Sequence, residues 1–550
     1  MQGKKKLQHL FSTPGSERFA FLAVGGQSGF AACPPLRKLL KPSGEQAPHP
    51  DFISFPGVLN NYKLHWKGSI TLDLCLILLV LLSLIAAALR SSRLAAGRAA
   101  LACAEEQGLY SMFSQYDRTL FDRYGILFLD AGYGGESLQL GRVLKQTEGD
   151  VFMVLYPKKE SVFPGAVDLL RFGPVESELT GYVLATDNGG AAFRRQVCEA
   201  MRGSLGSALL EAGKQKIQAE GRTEDSLQRE AGKITADRAG EFYAEDHPEG
   251  SGCQGEVTVP EHFVNPVESI RVLKKKGILP LVIPAGRQLS SGSLKPEELV
   301  SGRTLQTGMN MVPSGWKGGD EEFLMREFLI QNFGCFTCQR GSASAEYQVE
   351  YVLAGKNSDV ENLKAAVKKL QKLREKSNLI YLISSPERRA EAAEMAAVIC
   401  ASLGNPELEP AVSLALKKCW AWGESVLDLR ELLDGGKIPL VKTDSSWQLS
   451  LHSLADLQSA ADTQRHSSEG GLTYEEYLRI LLLKTKSDVL AARMMDLTEL
   501  NIREKNPGKI FCLDCCLDAA EVKITTETGG QELSIDRCYG YGEQRKGLFY

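Results

Sequence analysis

The chain has 550 residues, of which 43% are hydrophobic, so it is long enough to bury more than one ordinary core. Its formal net charge of −4 argues against nucleic acid or another strongly charged partner. The charge is unevenly distributed, because residues 1–67 carry nine Lys and Arg against three Asp and Glu, and a basic head therefore precedes an acidic body.

The basic head, residues 1–67, is the least domain-like part of the chain. Its prolines are scattered among Gly and Ser without a periodic apolar pattern, which predicts a disordered segment. The stretch Phe30-Ala-Ala-Cys33 loosely resembles a lipoprotein cleavage box, but residues 25–29 interrupt the apolar region that such a signal needs. A start of translation nearer Leu64, which would leave most of this head unmade, stays open.

A transmembrane helix is predicted directly after the head. The twenty residues Ile70–Leu89 contain one charged side chain, Asp73, and neither Gly nor Pro. At about 1.5 Å per residue, such a helix crosses a hydrocarbon layer of about 30 Å. The alternative is a buried core helix, but a core helix is seldom apolar all round for five turns. Membrane lipid is therefore an expected partner of this segment.

The orientation of this helix is predicted from the basic residues on its two sides. Lys63 and Lys67 precede the span, while Arg90, Arg93 and Arg98 follow it, so the local count does not decide. The short N-terminal segment is the more basic as a whole, and long domains cross a membrane largely regardless of charge. We therefore expect a single-pass protein of the cell membrane, with a cytoplasmic N-terminus and residues 90–550 outside the cytoplasm.

The junction before the span carries a resemblance to a known family. The sequence Lys67-Gly-Ser-Ile-Thr-Leu-Asp73, followed by an apolar run, resembles the processing site of type IV pilins and tight-adherence pseudopilins. In that family a membrane peptidase cuts after the Gly, and an acidic residue, usually Glu, stands fifth in the mature chain. The resemblance implies cleavage between Gly68 and Ser69, with Asp73 as the fifth residue. The alternative is that Asp73 lies in the first helical turn, where the helix dipole favours an anion.

The helical pattern continues beyond the membrane span. Residues 86–104 are rich in Ala and free of Pro, and apolar residues recur at helical spacing from Leu109 to Tyr124. Gly125 then favours a stop. These features predict one transmembrane and stalk helix within residues 68–125.

Four further stretches resemble an uncharacterised bacterial family of single-pass proteins that accompany genes for tight-adherence (Flp-type) pili. This family is known as a domain of unknown function. The resemblance implies a topology and a setting rather than a chemistry, with pilus or other membrane proteins as partners. The stretches are Gln115–Gly125, Glu350–Gly355 with Asp359–Leu363, Gly435–Leu440, and Tyr474–Leu478.

The soluble part divides into three segments by composition. Residues 126–219 form a first predicted lobe, and residues 256–550 form a second. Between them, residues 220–255 are rich in Glu, Arg, Gly and Asp and have few large apolar side chains, which predicts a polar helix or linker.

Elements inside the body follow from periodicity and capping patterns. Ser358 with Glu361, and Thr473 with Glu476, have the spacing of helix N-terminal caps, the second for a helix extending to about Asn501. Near-alternation of apolar and polar residues, or short apolar runs, predict strands. Because helices and strands do not alternate regularly, we predict an α+β body of two lobes. The predicted strands are 277–283, 345–353, 509–517 and 521–526.

The cysteines offer the only pattern of metal-ligand type. Cys335 and Cys338, like Cys512 and Cys515, are separated by two residues, but 174 residues separate the two pairs, which is far beyond a zinc-ribbon interval. Buried unpaired thiols, disulfides and a metal site all stay open as interpretations.

No complete catalytic pattern is present in the sequence. There is no His-Glu-x-x-His and no Gly-x-x-x-x-Gly-Lys followed by Ser or Thr. We therefore predict no enzymatic activity, no cofactor and no catalytic metal, and a structural or accessory component of the cell surface linked to tight-adherence pilus assembly. The alternatives are an exported cell-envelope hydrolase and a membrane-tethered scaffold or sensor.

Overall fold

The computed structural model describes residues 70–156, 170–204, 206–234, 264–284, 286–340, 344–459 and 467–542. The predicted disordered head and the Phe30–Cys33 stretch lie outside the described residues. The described chain combines helices with one antiparallel sheet, and a long apolar helix precedes this mixed body, which confirms the predicted fold class.

Helix α1, Ile70–Phe113, is 44 residues long. Every residue from Ile70 to Leu89 is exposed, whereas burial begins further along the helix, at Gly97. It is the one helix of the described residues that is long and apolar enough to cross a membrane, and the chain therefore has the character of a single-pass membrane protein.

The stalk helix ends earlier than the sequence predicted. It stops at Phe113, and a separate helix α2, Arg118–Tyr124, follows. The Asp117 carboxylate accepts a hydrogen bond from the Leu120 amide at 2.7 Å, and an N-cap of this kind starts a new helix instead of continuing the old one. Gly125, with φ of 69°, ends α2 as predicted.

The sheet has four antiparallel strands: β1 (Leu129–Asp130), β2 (Glu176–Leu184), β3 (Cys516–Thr528) and β4 (Gln531–Gly540). Strand β3 pairs with each of the other three. Gly529 and Gly530, with φ of 59° and 74°, connect β3 to β4 in a two-residue turn that requires positive φ at both positions. The predicted strand 509–517 exists only in its last two residues.

The stalk half of α1 packs on this sheet and on helix α3, Leu140–Leu155. A Cβ added at Gly108 would lie 2.7 Å from Val151 Cγ2, so α1 and α3 approach closely there. The shared apolar cluster, called the stalk cluster below, includes Leu101, Leu109, Met112, Val143, Val151, Leu517, Val522 and Ile524.

A larger helical region carries the other apolar cluster. Helix α10, Asp359–Ser384, packs along helix α12, Glu409–Leu433, and Trp420 of α12 is fully buried. The helices are α4 (Asp187–Ser204), α5 (Ser207–Gly232), α6 (Pro266–Lys276), α7 (Leu279–Val282), α8 (Glu321–Asn332), α9 (Gln348–Ala354), α10 (Asp359–Ser384), α11 (Pro386–Leu403), α12 (Glu409–Leu433), α13 (Tyr474–Leu482) and α14 (Ser487–Lys505).

Two predicted strands are helical in the structure. Residues 277–283 contain α7, where Pro280 fits the first helical turn because its missing N–H would lack a helical partner there. Residues 345–353 contain α9, in which polar Gln348 and Glu350 are as deeply buried as their apolar neighbours. The polar residues of this segment are therefore buried like the apolar ones, and the near-alternation in the sequence does not correspond to alternate exposure to solvent.

The predicted caps are confirmed, although one helix is shorter than expected. The Ser358 side chain accepts from the Glu361 amide at the start of α10. Thr473 and Glu476 form a reciprocal capping box at the start of α13. This helix ends at Leu482, and α14 begins at Ser487, so the single helix predicted to reach Asn501 is two. Of the predicted polar segment 220–255, only the first part, residues 220–234, is among the described residues, and most of it belongs to α5.

Candidate functional site

Cys335 and Cys338 lie at the two ends of a tight turn that follows α8. The Cys335 N–H donates to the Cys338 carbonyl, and the Cys338 N–H donates to the Cys335 carbonyl, both at 2.9 Å. Cys335 is only 4% exposed, whereas Cys338 is half-buried. We call residues 335–338 the cysteine turn.

A buried carboxyl group stands against the cysteine turn. Glu350 of α9 is fully buried, and its Oε1 accepts from the Phe336 N–H and from the Tyr474 hydroxyl, each at 2.9 Å. Its Oε2 has no hydrogen-bond partner among the described residues. Burial raises the pKa of Glu350 to about 7, so both its acid and its base form are present near neutral pH.

The thiols of the turn are protonated at neutral pH. Burial raises the pKa of Cys335 well above its usual range, and the nearby Glu350 carboxylate raises it further. Burial also raises the pKa of Cys338, while Arg340 acts in the opposite direction. Thiolate is therefore scarce until a base accepts the proton.

The second cysteine pair lies in a different cluster. Ligand atoms of Glu499, Cys512 and Asp514 lie within 4.8 Å of one another, and this is the only group of three or more candidate metal ligands found in the described ranges. It contains no thiol of the cysteine turn, so the structure does not bring the four predicted cysteines together. The Cys515 thiol is not a member of this group and lies 3.7 Å from the Glu136 carbonyl oxygen.

Arginines already occupy the carboxylates of this second cluster. Arg303 forms a two-point ion pair with Glu499, with Nη1–Oε2 at 2.7 Å, and also contacts Asp514. Arg503 lies 2.9 Å from Glu499 and donates to the Cys512 sulfur at 3.4 Å. Two guanidinium groups thus balance two carboxylates, and a bound cation would have to displace them.

A third cluster, called the core ion cluster below, joins four charged side chains that are fully buried. Asp428 lies 3.0 Å from Arg374 and 2.7 Å from Lys442, and Lys442 lies 2.5 Å from Glu424. Asn378 also donates to Asp428. Burial alone would raise the pKa of Asp428, but Lys442 and Arg374 outweigh it and hold this pKa below its usual range.

The core ion cluster fastens a loop to the helices. Arg374 Nη1 donates to the carbonyls of Pro439 and Leu440 at 2.8 and 3.0 Å. The Tyr477 hydroxyl donates to the Ile438 carbonyl at 3.1 Å. The stretches 435–440 and 474–478, which both carry the family resemblance, thus meet at this loop. Tyr474 of the second stretch also contacts Glu350, which belongs to the stretch 350–355.

A surface cleft of about 530 Å³ lies between α5, α10 and the start of α11. Arg229, Lys233 and Arg389 line it, together with one carboxylate, Glu230. Glycoside hydrolysis commonly uses two carboxyl groups facing each other across the substrate. The described residues that line the cleft do not offer that pair.

The predicted processing junction is described only in part. Gly68 and Ser69 lie outside the described residues, while Asp73 is exposed in the first turn of α1. Sequence reasoning missed Glu350, Glu499 and Tyr474 as members of polar sites. Glu350 and Tyr474 belong to stretches that carry the family resemblance, which was the available signal, but nothing in the sequence indicated that they touch.

In the described residues, the fold and the sites are those of an α+β protein in which one helix is long and apolar enough to cross a membrane and the charged clusters lie within the body. Residues 257–528 match the model of a family described as "Family of unknown function (DUF5702)". This match covers just under half of the chain, including the cysteine turn and the core ion cluster, and begins after α1. No curated protein and no solved structure matches the chain significantly.

Proposed function

We propose that this chain is a non-enzymatic, membrane-anchored accessory or structural component of a tight-adherence pilus, with its body outside the cytoplasm and acting through protein contacts. The observation that carries the proposal is helix α1, which is continuous from an apolar, exposed segment into the packed stalk cluster. A helix built in this way links a membrane directly to a folded body.

The contacts of the stalk support such a mechanical link. Arg93 donates to the Leu170 carbonyl at 2.8 Å, and the Tyr541 hydroxyl donates to the Phe113 carbonyl at 2.6 Å. The stalk is therefore held near both of its ends, with Leu101 and Leu109 buried between them. A pull on α1 would pass to the sheet without a flexible linker.

The charged clusters favour a structural role over hydrolysis. In the core ion cluster and around Glu499, each carboxylate faces Arg or Lys at ion-pair distance. Carboxylates held in this way are poor general acids and bases, because their protonation is tied to the stability of the fold. The exported hydrolase remains the rival, and it requires a cleft with a carboxylate pair.

Protease shaving of intact cells tests the proposed side of the membrane. We expect loss of the body and survival of a fragment that contains Ile70–Leu89. Cells opened before digestion are the control, because there the body must be cut in either orientation. Protection of the body in intact cells would overturn the extracytoplasmic placement.

Mass spectrometry of the N-terminus tests the pilus role. We expect a mature chain that starts at Ser69, loss of processing in Gly68→Arg, and retained processing in the matched variant Asp73→Glu. Site-specific photo-crosslinking from Leu81 should then join the mature chain to the pilin subunit. An intact head together with no pilin crosslink would overturn the proposal.

A further inference from the structure

The cysteine turn carries a feature that the structural role does not use, namely two thiols at paired backbone positions. Reciprocal N–H to carbonyl bonds make Cys335 and Cys338 a hydrogen-bonded antiparallel pair. The Cα atoms of such a pair lie about 5.5 Å apart, within the range that a disulfide spans. Directly paired residues also place their side chains on the same face.

We propose that Cys335 and Cys338 form a site of thiol–disulfide exchange, in which Cys338 attacks first and Glu350 accepts the proton of Cys335. This inference is independent of the pilus role. The reagent it requires is a compound or protein that itself carries a disulfide.

The difference in burial fixes the order of attack. Cys338 is half-buried and therefore reachable by an external disulfide; burial and Glu475 raise its pKa, and the charge of Arg340 opposes them only in part. Cys335 is almost fully buried and is shielded from an external disulfide. Cys338 therefore meets the reagent, and Cys335 resolves the mixed disulfide from inside.

Glu350 is the carboxyl group whose charge acts most strongly on the Cys335 thiol, which itself lies 3.5 Å from the Thr337 hydroxyl, and we assign the second proton to it. Its Oε1 is fixed by the Phe336 N–H inside the turn, whereas its fully buried Oε2 has no partner among the described residues. A buried, unpaired oxygen is costly unless it holds or receives a proton. The titratable groups that face Glu350 are Cys335, Tyr474 and Asp359. A pKa of about 7 suits a base that works near neutrality.

The reaction balances with one disulfide consumed. Cys338 loses its proton to solvent, and its sulfur attacks the external disulfide, releasing one thiolate that solvent protonates. Cys335 then passes its proton to Glu350 while its sulfur attacks Cys338 Sγ, and the second thiolate leaves and is protonated. The protein dithiol is oxidised to a disulfide, and the external disulfide is reduced to two thiols. The closed loop is so short that it removes little chain entropy, so the bond serves exchange better than stabilisation.

Redox titration of the full chain in detergent micelles tests the site. The protein is equilibrated with mixtures of reduced and oxidised glutathione, the free thiols are blocked, and the peptides are analysed by mass spectrometry. We expect reversible linkage of Cys335 to Cys338 in the native protein. Cys338→Ser should form neither this disulfide nor a mixed disulfide at the turn, whereas Cys335→Ser should stop at glutathione bound to Cys338. The matched control Cys515→Ser should behave as the native protein does.

The variant Glu350→Gln tests the role of Glu350 as a base while it keeps both thiols in place. We expect the second step to slow about 100-fold at pH 7, with the final extent of oxidation little changed. Circular dichroism checks that each variant is folded. Absence of the Cys335–Cys338 bond in the native protein at every glutathione ratio would overturn the site, and an unchanged rate in folded Glu350→Gln would overturn the role of Glu350. The redox titration uses the native protein, so its result remains valid even if a variant fails to fold.

Discussion

The two apolar clusters bury carboxylates in opposite ways. In the helical region, Asp428 and Glu424 face Arg374 and Lys442 at ion-pair distance. In the stalk cluster, Glu105 of α1 is fully buried, yet neither of its oxygens accepts a hydrogen bond from a described residue, and the Arg537 Nε lies 3.7 Å away. Buried carboxylates that are paired with Arg and Lys therefore stabilise the helical region, whereas the buried Glu105 makes the stability of the stalk cluster depend on pH.

Disruption of the core ion cluster should have the largest effect on the free energy of unfolding. We expect Arg374→Met to lower the free energy of unfolding by about 4 kcal/mol, because it removes one cation from a fully buried set and frees two loop carbonyls. Chemical denaturation followed by circular dichroism measures this loss. Arg271→Met is the matched control, since Arg271 pairs with Glu268 on the exposed face of α6 and its loss should leave the midpoint unchanged. Equal midpoints for the two variants would contradict the contrast.

The stalk should respond to pH instead. Burial, partly opposed by Arg537, raises the pKa of Glu105 to about 8 from an ordinary value of 4.5. The folded state thus binds a proton more tightly than the unfolded state does. The resulting stability is fully present below about pH 4.5 and is lost as the pH rises through about 8.

Glu105→Gln should remove this dependence. The variant keeps a neutral side chain of the same size, so we expect it to gain on the order of 2 kcal/mol over the native protein at pH 9 and little at pH 5. Thermal melts of both proteins at the two pH values measure the gain. Glu106→Gln is the control, because Glu106 is exposed on the next position of α1. A pH-independent difference would show that Glu105 does not titrate in this range.

Close packing of the stalk can be tested separately from charge. Gly108→Ala should lower stability by about 1–2 kcal/mol, because its Cβ would lie 2.7 Å from Val151 Cγ2. Gly149→Ala, on α3 with no atom of a described residue within 4 Å of its Cβ, should instead raise stability by up to about 1 kcal/mol through helix propensity. Denaturant midpoints compare the two. A gain in both variants would mean that α1 and α3 separate easily.

The smallest expected effect is at a helix cap. Thr473→Ala removes the side chain that accepts from the Glu476 amide and should cost about 1 kcal/mol, measured by denaturation. Ser226→Ala, at an exposed position of α5, should change little. A loss at Thr473 as large as that of Arg374→Met would remove the distinction between local and buried interactions.

Local patterns in the sequence predicted local structure well. The apolar run Ile70–Leu89, the caps at Ser358 and Thr473, and the stop at Gly125 are each visible within a few residues. The strand predicted for 345–353 was wrong because it assumed that polar side chains face solvent. In fact Glu350 is buried, and its Oε1 accepts hydrogen bonds from Phe336 and from Tyr474, which lies 124 residues further along the chain.

The clusters themselves were beyond sequence reasoning. Arg374, Asp428 and Lys442 come from three separate segments, and no spacing rule links them. The cysteine spacing identified both pairs, but it did not show that Arg303 already occupies the acidic partners of Cys512. Such sites depend on which helices pack together, and a single sequence does not fix that.

The pairing of β3 has a consequence for the biogenesis of the protein. The sheet that supports the stalk has β3 at its centre, and Thr180 of β2 contacts Glu521 of β3 across 341 residues of chain. Since synthesis starts at the N-terminus, α1 is complete long before its support exists. During that interval Leu101 and Leu109 lack their partners Leu517 and Val522. We therefore expect nascent chains that end before Cys516 to depend on a chaperone or on the membrane surface to cover the stalk.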